Sequence, residues 1–341
     1  MNRQFTWRDG ERTIRFGRGV AAEAVELLGG AGYTLLTTQR AAAAAPHVAA
    51  AAGEVVHVGR GPVDELAGEL LGRVGGERLV ALGGGRVVDV AKALAAARRA
   101  GARREGGGGA VRAMAIPTTL SGAEMTGGHR HARGVDPATP RVRCAVVVSD
   151  SELTASLPGP ELAASACNAL GHAVEAPCTT LANPVATLAA LDGARRIAGA
   201  FGAAGRDAPD RDELALGALL AGYAIDSAGY GLHHVLAQTL VRAAAIGHGI
   251  ANAILLPHTL AALEWRFPRQ HAALAEALGG EPADVAARIR AGAGATALHE
   301  LGVERADLPA CADAAARRPD LGQTPPAADR AEILMIYESA L

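Results

Sequence analysis

Along the first half of the chain, short apolar runs alternate with stretches of helical period. Residues 5–16, FTWRDGERTIRF, alternate in period two about Asp9-Gly10, which predicts a hairpin. A helix over Val20–Leu28, strand Tyr33–Thr37, an alanine-rich helix, strand Glu54–Val58 and helix Val63–Val74 come next. Strand Arg78–Leu82 then runs into Gly83-Gly84-Gly85 and a helix over Val87–Ala100. A glycine-rich linker, Glu105–Gly109, precedes strands Val111–Ile116 and Arg143–Ser149. Strands that alternate with helices predict a parallel, Rossmann-like sheet with helices on both faces.

Beyond Leu153 the period-two signal fades and helical period takes over. Breaks are expected at Pro158-Gly159-Pro160, Asn183-Pro184, Gly205–Pro209, Pro257, Pro268, Gly279-Gly280 and Pro325-Pro326. The expected organisation is an α/β domain over 1–155 and an all-α domain over 156–341.

Composition changes this picture little. Half the residues are apolar, aromatics make up only 3%, and 43 are glycine, so the core is expected from Ala, Leu, Val and Ile. A net charge of −2 gives no pull toward nucleic acid or an anionic membrane. The N-terminus lacks the apolar core of an export signal, and no run approaches the roughly 18 apolar residues of a membrane span. Cys144, Cys167, Cys178 and Cys311 show no CxxC spacing and read as buried reduced thiols. A cytoplasmic protein acting on a small molecule is expected.

Candidate chemistry begins at the glycine triplet. A strand–GGG–helix context suits a pyrophosphate site, because glycine lets backbone N–H groups approach an anion at the positive end of a helix. A plain tight turn has the same sequence. Lys92, on the helix that follows, reads as a solvated surface lysine. The strand ending LLTTQR matters for the choice of dinucleotide. An acidic residue there binds a ribose 2′-hydroxyl and repels a 2′-phosphate, whereas Thr37, Thr38, Gln39 and Arg40 carry no negative charge. Arg40 either pairs with a 2′-phosphate or caps a solvated helix start, so NADPH or NADH is expected, with NADPH accepted at least as well.

In the second half, SACNALGHAVEAP puts Asn168 and His172 four residues apart on one helix face. An Asp–His pair there would be half of a metal site. A neutral amide brings no charge to a cation. His234 and His248 are fourteen residues apart, roughly 21 Å along one unbroken helix, but a break at Gly247 would let them converge. A shared histidine site and separate core histidines both fit the spacing.

Four ordered segments carry a family likeness: GGGRVVDVAK, IPTTLSGAEMT, NALGHAVEA, and GLHHVLAQTL followed by HGIANAILLPH. Together they resemble the iron-dependent alcohol dehydrogenase family, whose fold is shared with dehydroquinate synthase, and within it the maleylacetate reductases. The resemblance implies a dehydroquinate synthase-like homodimer using NADH or NADPH. Its dinucleotide pattern falls on Gly84, Gly85, Thr118, Thr119 and Thr126, beside the candidates Gly83, Asp89 and Arg40; Asp89 and Lys92 match the alcohol dehydrogenase version of the glycine-loop segment better than the reductase version. Its metal pattern falls on Asn168, His172, His234 and His248. Asparagine in place of the family's aspartate matches the branch working without bound iron, so no obligatory divalent metal is expected, although three neutral histidines with water as a fourth ligand can still hold zinc.

The implied reaction is reduction of a carbon–carbon double bond conjugated to a ketone, as in 4-oxo-hex-2-enedioate giving 3-oxoadipate. His172, His234 and His248 are then the expected catalytic residues, stabilising an enolate and delivering a proton. His129, Arg130, His131 and Arg133 read either as a dianion-binding cluster or as a solvated loop. Arg86, where the family has serine, and Gln238, where it has a second histidine, depart from the pattern. Alternatives are a metal-dependent alcohol dehydrogenase or aldehyde reductase, and a cofactor-binding homologue without turnover.

Overall fold

The computed structural model describes residues 4–104, 111–202 and 208–341. The Glu105–Gly109 linker and most of the Gly205–Pro209 break therefore lie outside the described residues. The chain divides after Leu157 into two compact units, Met1–Leu157 and Pro158–Leu341.

The first unit is built on a seven-stranded sheet: β1 (Phe5–Asp9), β2 (Arg12–Phe16), β3 (Thr34–Thr37), β4 (Glu54–His57), β5 (Arg78–Gly83), β6 (Arg112–Pro117) and β7 (Val146–Ser149). Their spatial order is β1-β2-β7-β6-β5-β3-β4, and every pairing except β1 with β2 is parallel. The hairpin forms with loop Gly10-Glu11, one residue later than expected. Gly10 takes φ 60°, and a positive φ at the first loop position alone is the type II′ geometry that glycine favours. Around the sheet lie α1 (Ala24–Leu27), α2 (Gln39–Ala44), α3 (Pro46–Ala50), α4 (Val63–Leu70) and α5 (Gly85–Arg104).

The connection from β3 to β4 runs one way along the sheet, and those from β5 to β6 and β7 run the other. The order therefore reverses between β3 and β5, which are neighbours with Thr37 opposite Leu82. In open parallel sheets, ligands bind outside the carboxyl ends of the strands at such a reversal. Here those ends carry Thr38 and the glycine turn.

The second unit is helical: α6 (Gly159–Glu175), α7 (Pro184–Gly202), α8 (Arg211–Ala228), α9 (Leu232–Ala243), α10 (His248–Arg266), α11 (Pro268–Leu278), α12 (Pro282–Arg290), α13 (Leu308–Ala316) and α14 (Arg330–Ser339). Prolines at the starts of α7, α11 and α12 sit where a missing N–H costs nothing. Pro257 departs from the expected break, because α10 runs through it. Buried Ala253, Ile254, Leu255 and Leu256 before it and Leu260 and Leu263 after it hold the helix together. All four cysteines are free and buried. Burial pushes the Cys144, Cys167 and Cys178 thiols up to about 12. No helix among the described residues is long and apolar enough to cross a membrane.

Candidate functional site

In the first unit the glycine turn is packed against the loop after β6. The Thr118 N–H donates to the Gly83 carbonyl at 3.0 Å. A Cβ on Gly84 would lie 2.9 Å from Thr119 Cγ2, and one on Gly85 would lie 2.9 Å from the Ser121 side chain. These glycines therefore serve close approach of two loops as well as the start of α5. The first turn of α5 carries no acidic residue, so its positive end is open to an anion. Arg86 stands exposed on that turn, and burial and then the neighbouring Arg60 lower its guanidinium's proton affinity. Arg40 is exposed on α2, which Thr38 caps by accepting the Ala41 N–H at 3.3 Å.

Two buried cations bolt this loop to the sheet and α5. Lys92 is fully buried rather than solvated. Its Nζ donates to the carbonyls of Ala123 (2.8 Å), Thr126 (3.0 Å) and Gly128 (2.8 Å) and pairs with Asp89 at 2.8 Å. Asp89 and Thr126, both expected to bind the dinucleotide, are thus joined through a lysine that reading the helix face left in solvent. Arg12, from the hairpin, donates to the carbonyls of Cys144 (3.1 Å), Glu124 (3.1 Å) and Met125 (3.3 Å). Between these cations lies Glu124, 3% exposed, whose carboxyl is pushed up to about 7 by burial against the pull of Lys92 and Arg12.

The expected basic cluster is not free to meet a dianion. His129 is buried; its Nδ1 bonds the Arg130 carbonyl at 2.9 Å and its Nε2 accepts the Val142 N–H at 3.2 Å. Burial lowers it to about 4, so it is neutral. Arg130 pairs with Asp64 at 3.1 Å and Arg133 with Glu65 at 2.5 Å, both on α4. The linear reading missed these acids because they lie more than sixty residues upstream.

In the second unit, α6 presents Asn168, His172 and Glu175 on successive turns, all buried. Across from it, α9 begins with His233 and His234, and α10 begins with His248 after a break. The break between His234 and His248 is therefore real. The His172 and His234 rings stack 4.7 Å apart at 15°. His248 acts electrostatically on both, lowering their affinity for a proton. His172 Nδ1 and His234 Nε2 are both buried with no hydrogen-bond partner.

Glu175 organises this cluster. Its Oε1 accepts the His233 N–H at 2.8 Å, and its Oε2 accepts the His234 N–H at 3.4 Å and bonds His234 Nδ1 at 2.7 Å. One carboxylate thereby caps α9 and fixes a catalytic candidate. With Nδ1–H donated to Glu175, His234 Nε2 carries a lone pair, and that atom is buried without a partner. Burial pushes Glu175 up and His234 down to about 3, and drives His172 well below its usual range. Burial thus favours the neutral form of His172 and His234, so delivering a proton from either needs something that favours the imidazolium.

His233 is a core residue, its Nδ1 bonded to Thr259 Oγ1 at 2.9 Å. A Cβ on Gly171 would lie 2.7 Å from its Nε2, so the glycine before His172 lets α6 and α9 approach. Gln238 accepts from Arg318 Nη2 at 3.1 Å, and Arg318 also pairs with Asp320 at 2.8 Å. Glu175 had a signal in the sequence: it is the one carboxylate in the alanine-rich stretch from Leu162 to Glu175. The Arg318–Gln238 contact had none, the two being eighty residues apart.

Comparison with known proteins places these residues in a family context. Residues 162–341 match the model of the Fe-containing alcohol dehydrogenase family, C-terminal. A maleylacetate reductase of Rhizobium sp. (strain MTP-10005) is 35% identical over 216 residues, covering 60% of this chain and 61% of that protein. A 1,3-propanediol dehydrogenase of Citrobacter freundii is 34% identical over 211 residues, covering 57% of this chain and 54% of that protein. The chain thus spans less than two thirds of the length of both curated relatives in these matches. In solved structures, maleylacetate reductase from Agrobacterium tumefaciens superposes with a TM-score of 0.79 at 29% identity, covering 100% of this chain and 99% of that one.

Proposed function

We propose that the chain, which belongs to the Fe-containing alcohol dehydrogenase family, is an NAD(P)H-dependent reductase of the maleylacetate-reductase type. Its substrate is an electron-poor carbon–carbon double bond conjugated to a ketone, with 4-oxo-hex-2-enedioate or a related enone as the class. The observation that carries this reading is the neutral His172–His234 pair held by Glu175, with Asn168 where an anionic metal ligand would be needed.

The dinucleotide fits the first unit. The turn after β5, the acid-free N-terminus of α5 and the Thr118–Thr119 loop suit a pyrophosphate, and Arg86 and Arg40 add positive charge on the same strand ends. When bound, NAD(P)H supplies the hydride. Iron, which the family name implies, fits the second unit poorly. The amide of Asn168 brings no charge to offset a cation at that helix position. Metal-independent action is therefore part of the proposal.

The protein's own residues do the rest. Glu175 holds His234 with Nε2 aimed away from the carboxylate, so one ring atom is kept ready to exchange a proton. Burial keeps the pair neutral, but an anion arriving beside it favours the imidazolium and opposes that effect. A dianionic ene-dioate thus recruits the proton that its own enolate needs. A neutral aldehyde does not.

The test is a panel of ene-dioates, neutral enones and aldehydes assayed with NADH and NADPH, before and after dialysis against chelator. Fast, chelator-resistant reduction of ene-dioates is expected. Turnover of alcohols or aldehydes only with added ferrous or zinc ion would favour the second reading, a metal-dependent alcohol dehydrogenase, to which the 1,3-propanediol dehydrogenase likeness points. Nucleotide binding without turnover of any compound would leave a binding protein.

A further inference from the structure

Three side chains outside the histidine cluster come together where the chain reverses twice. Glu264 lies in the last turn of α10, His271 in the first turn of α11, and Glu281 at the start of α12. Phe267 separates the first two helices, and Gly279, in the left-handed region at φ 70°, turns the chain after α11. One ligand atom from each of the three residues lies within 4.8 Å of the other two.

His271 makes this more than a surface cluster of acids. It is 8% exposed, and its Nε2 is buried with no hydrogen bond, although Glu281 Oε1 is only 3.2 Å away. A buried ring nitrogen left unsatisfied costs free energy unless something completes it. Glu281 is not committed elsewhere as a helix cap, since its side chain makes no capping bond to α12.

We propose that Glu264, His271 and Glu281 form a binding site for a divalent transition-metal ion of the zinc type. Two carboxylates and one neutral imidazole balance a dication. Imidazole among the donors favours zinc over magnesium or calcium, which take oxygen ligands. Tetrahedral zinc needs donor atoms about 3.4 Å apart, given metal–ligand distances near 2.1 Å, and exposed glutamates close the remaining gap by changing rotamer. Three protein ligands leave the fourth position to water. An ion there ties α10, α11 and α12 at one point, so it acts as an exchangeable clamp on the second unit.

The experiment titrates zinc chloride into metal-free wild-type protein and into Glu281→Gln and His271→Gln variants, by calorimetry and by thermal denaturation. Magnesium chloride serves as control. Wild type should bind zinc with a heat that both variants lack, and its Tm should rise by about 5 °C or more at zinc near 100 times Kd. Magnesium should do neither. His172, His234 and His248 are intact in every variant, so zinc bound there would survive both substitutions. Equal zinc heats and Tm rises in wild type and Glu281→Gln would overturn the proposal, as would no zinc response in wild type. Should His271→Gln fail to fold, Glu281→Gln, at an exposed position, decides alone.

Discussion

Glu124 links the loop packed against the glycine turn to pH. Its carboxyl is held near 7, against a usual 4.5, because burial between Lys92 and Arg12 costs the ionised form more than those cations return. The folded protein therefore binds a proton there between pH 4.5 and 7 that the unfolded chain has released. Stability falls as pH rises through that window: the cost is absent below about 4.5 and complete above about 7. The gap corresponds to about 3 kcal/mol. Glu124→Gln, which keeps shape and removes the titration, should match wild type at pH 5 and exceed it at pH 8. In a unit of this size the Tm difference should reach about 6–12 °C. Calorimetric scans of both proteins at the two pH values, without nucleotide, make the comparison. If Lys92 and Arg12 outweigh burial, Glu124 is ionised and the variant is the less stable protein at pH 8. That sign, or a pH-independent difference, refutes the reasoning.

Glu175→Gln should lower kcat by about 10²–10⁴-fold, with dinucleotide affinity nearly unchanged, because it removes the anion that orients His234; single-turnover kinetics and nucleotide titration separate the two. Asn168→Asp should tighten zinc or ferrous ion by supplying a charged oxygen beside His172, read by calorimetry, and unchanged affinity would show that the histidines cannot gather on a metal at all. Arg40→Ala should weaken NADPH relative to NADH by about 1–3 kcal/mol, and equal losses for both would show that the 2′-position is read elsewhere.

The parts of the fold set by local pattern were legible. The strands alternating with helices, the hairpin and the switch to helix after Leu153 each follow from period, glycine and proline. Pro257 was misread because a helix-breaking residue was weighed without the buried apolar positions on either side that carry α10 through it. Asp9-Gly10 was displaced by one residue because only glycine takes the positive φ of the first loop position.

The candidate site was legible in its histidines and opaque in what governs them. Segment order located His172, His234 and His248, and the break at Gly247 was visible as a glycine between helical stretches. Their protonation was not visible, since it depends on burial and on Glu175, whose partner His234 is fifty-nine residues downstream in sequence. Lys92 failed for the same reason: a lysine is taken as solvated until three carbonyls from a loop over thirty residues away enclose it. Both residues are charged groups buried with partners chosen by tertiary structure, and a linear reading prices them as surface. A charged side chain flanked by apolar residues, as Glu175 is by Val174 and Ala176 and Lys92 by Ala91 and Ala93, is thus better treated as a question about a missing partner than as a solvent-facing exception. Glu175 and Lys92 each answer it by holding an element in place: the start of α9 in one case, the loop against the glycine turn in the other.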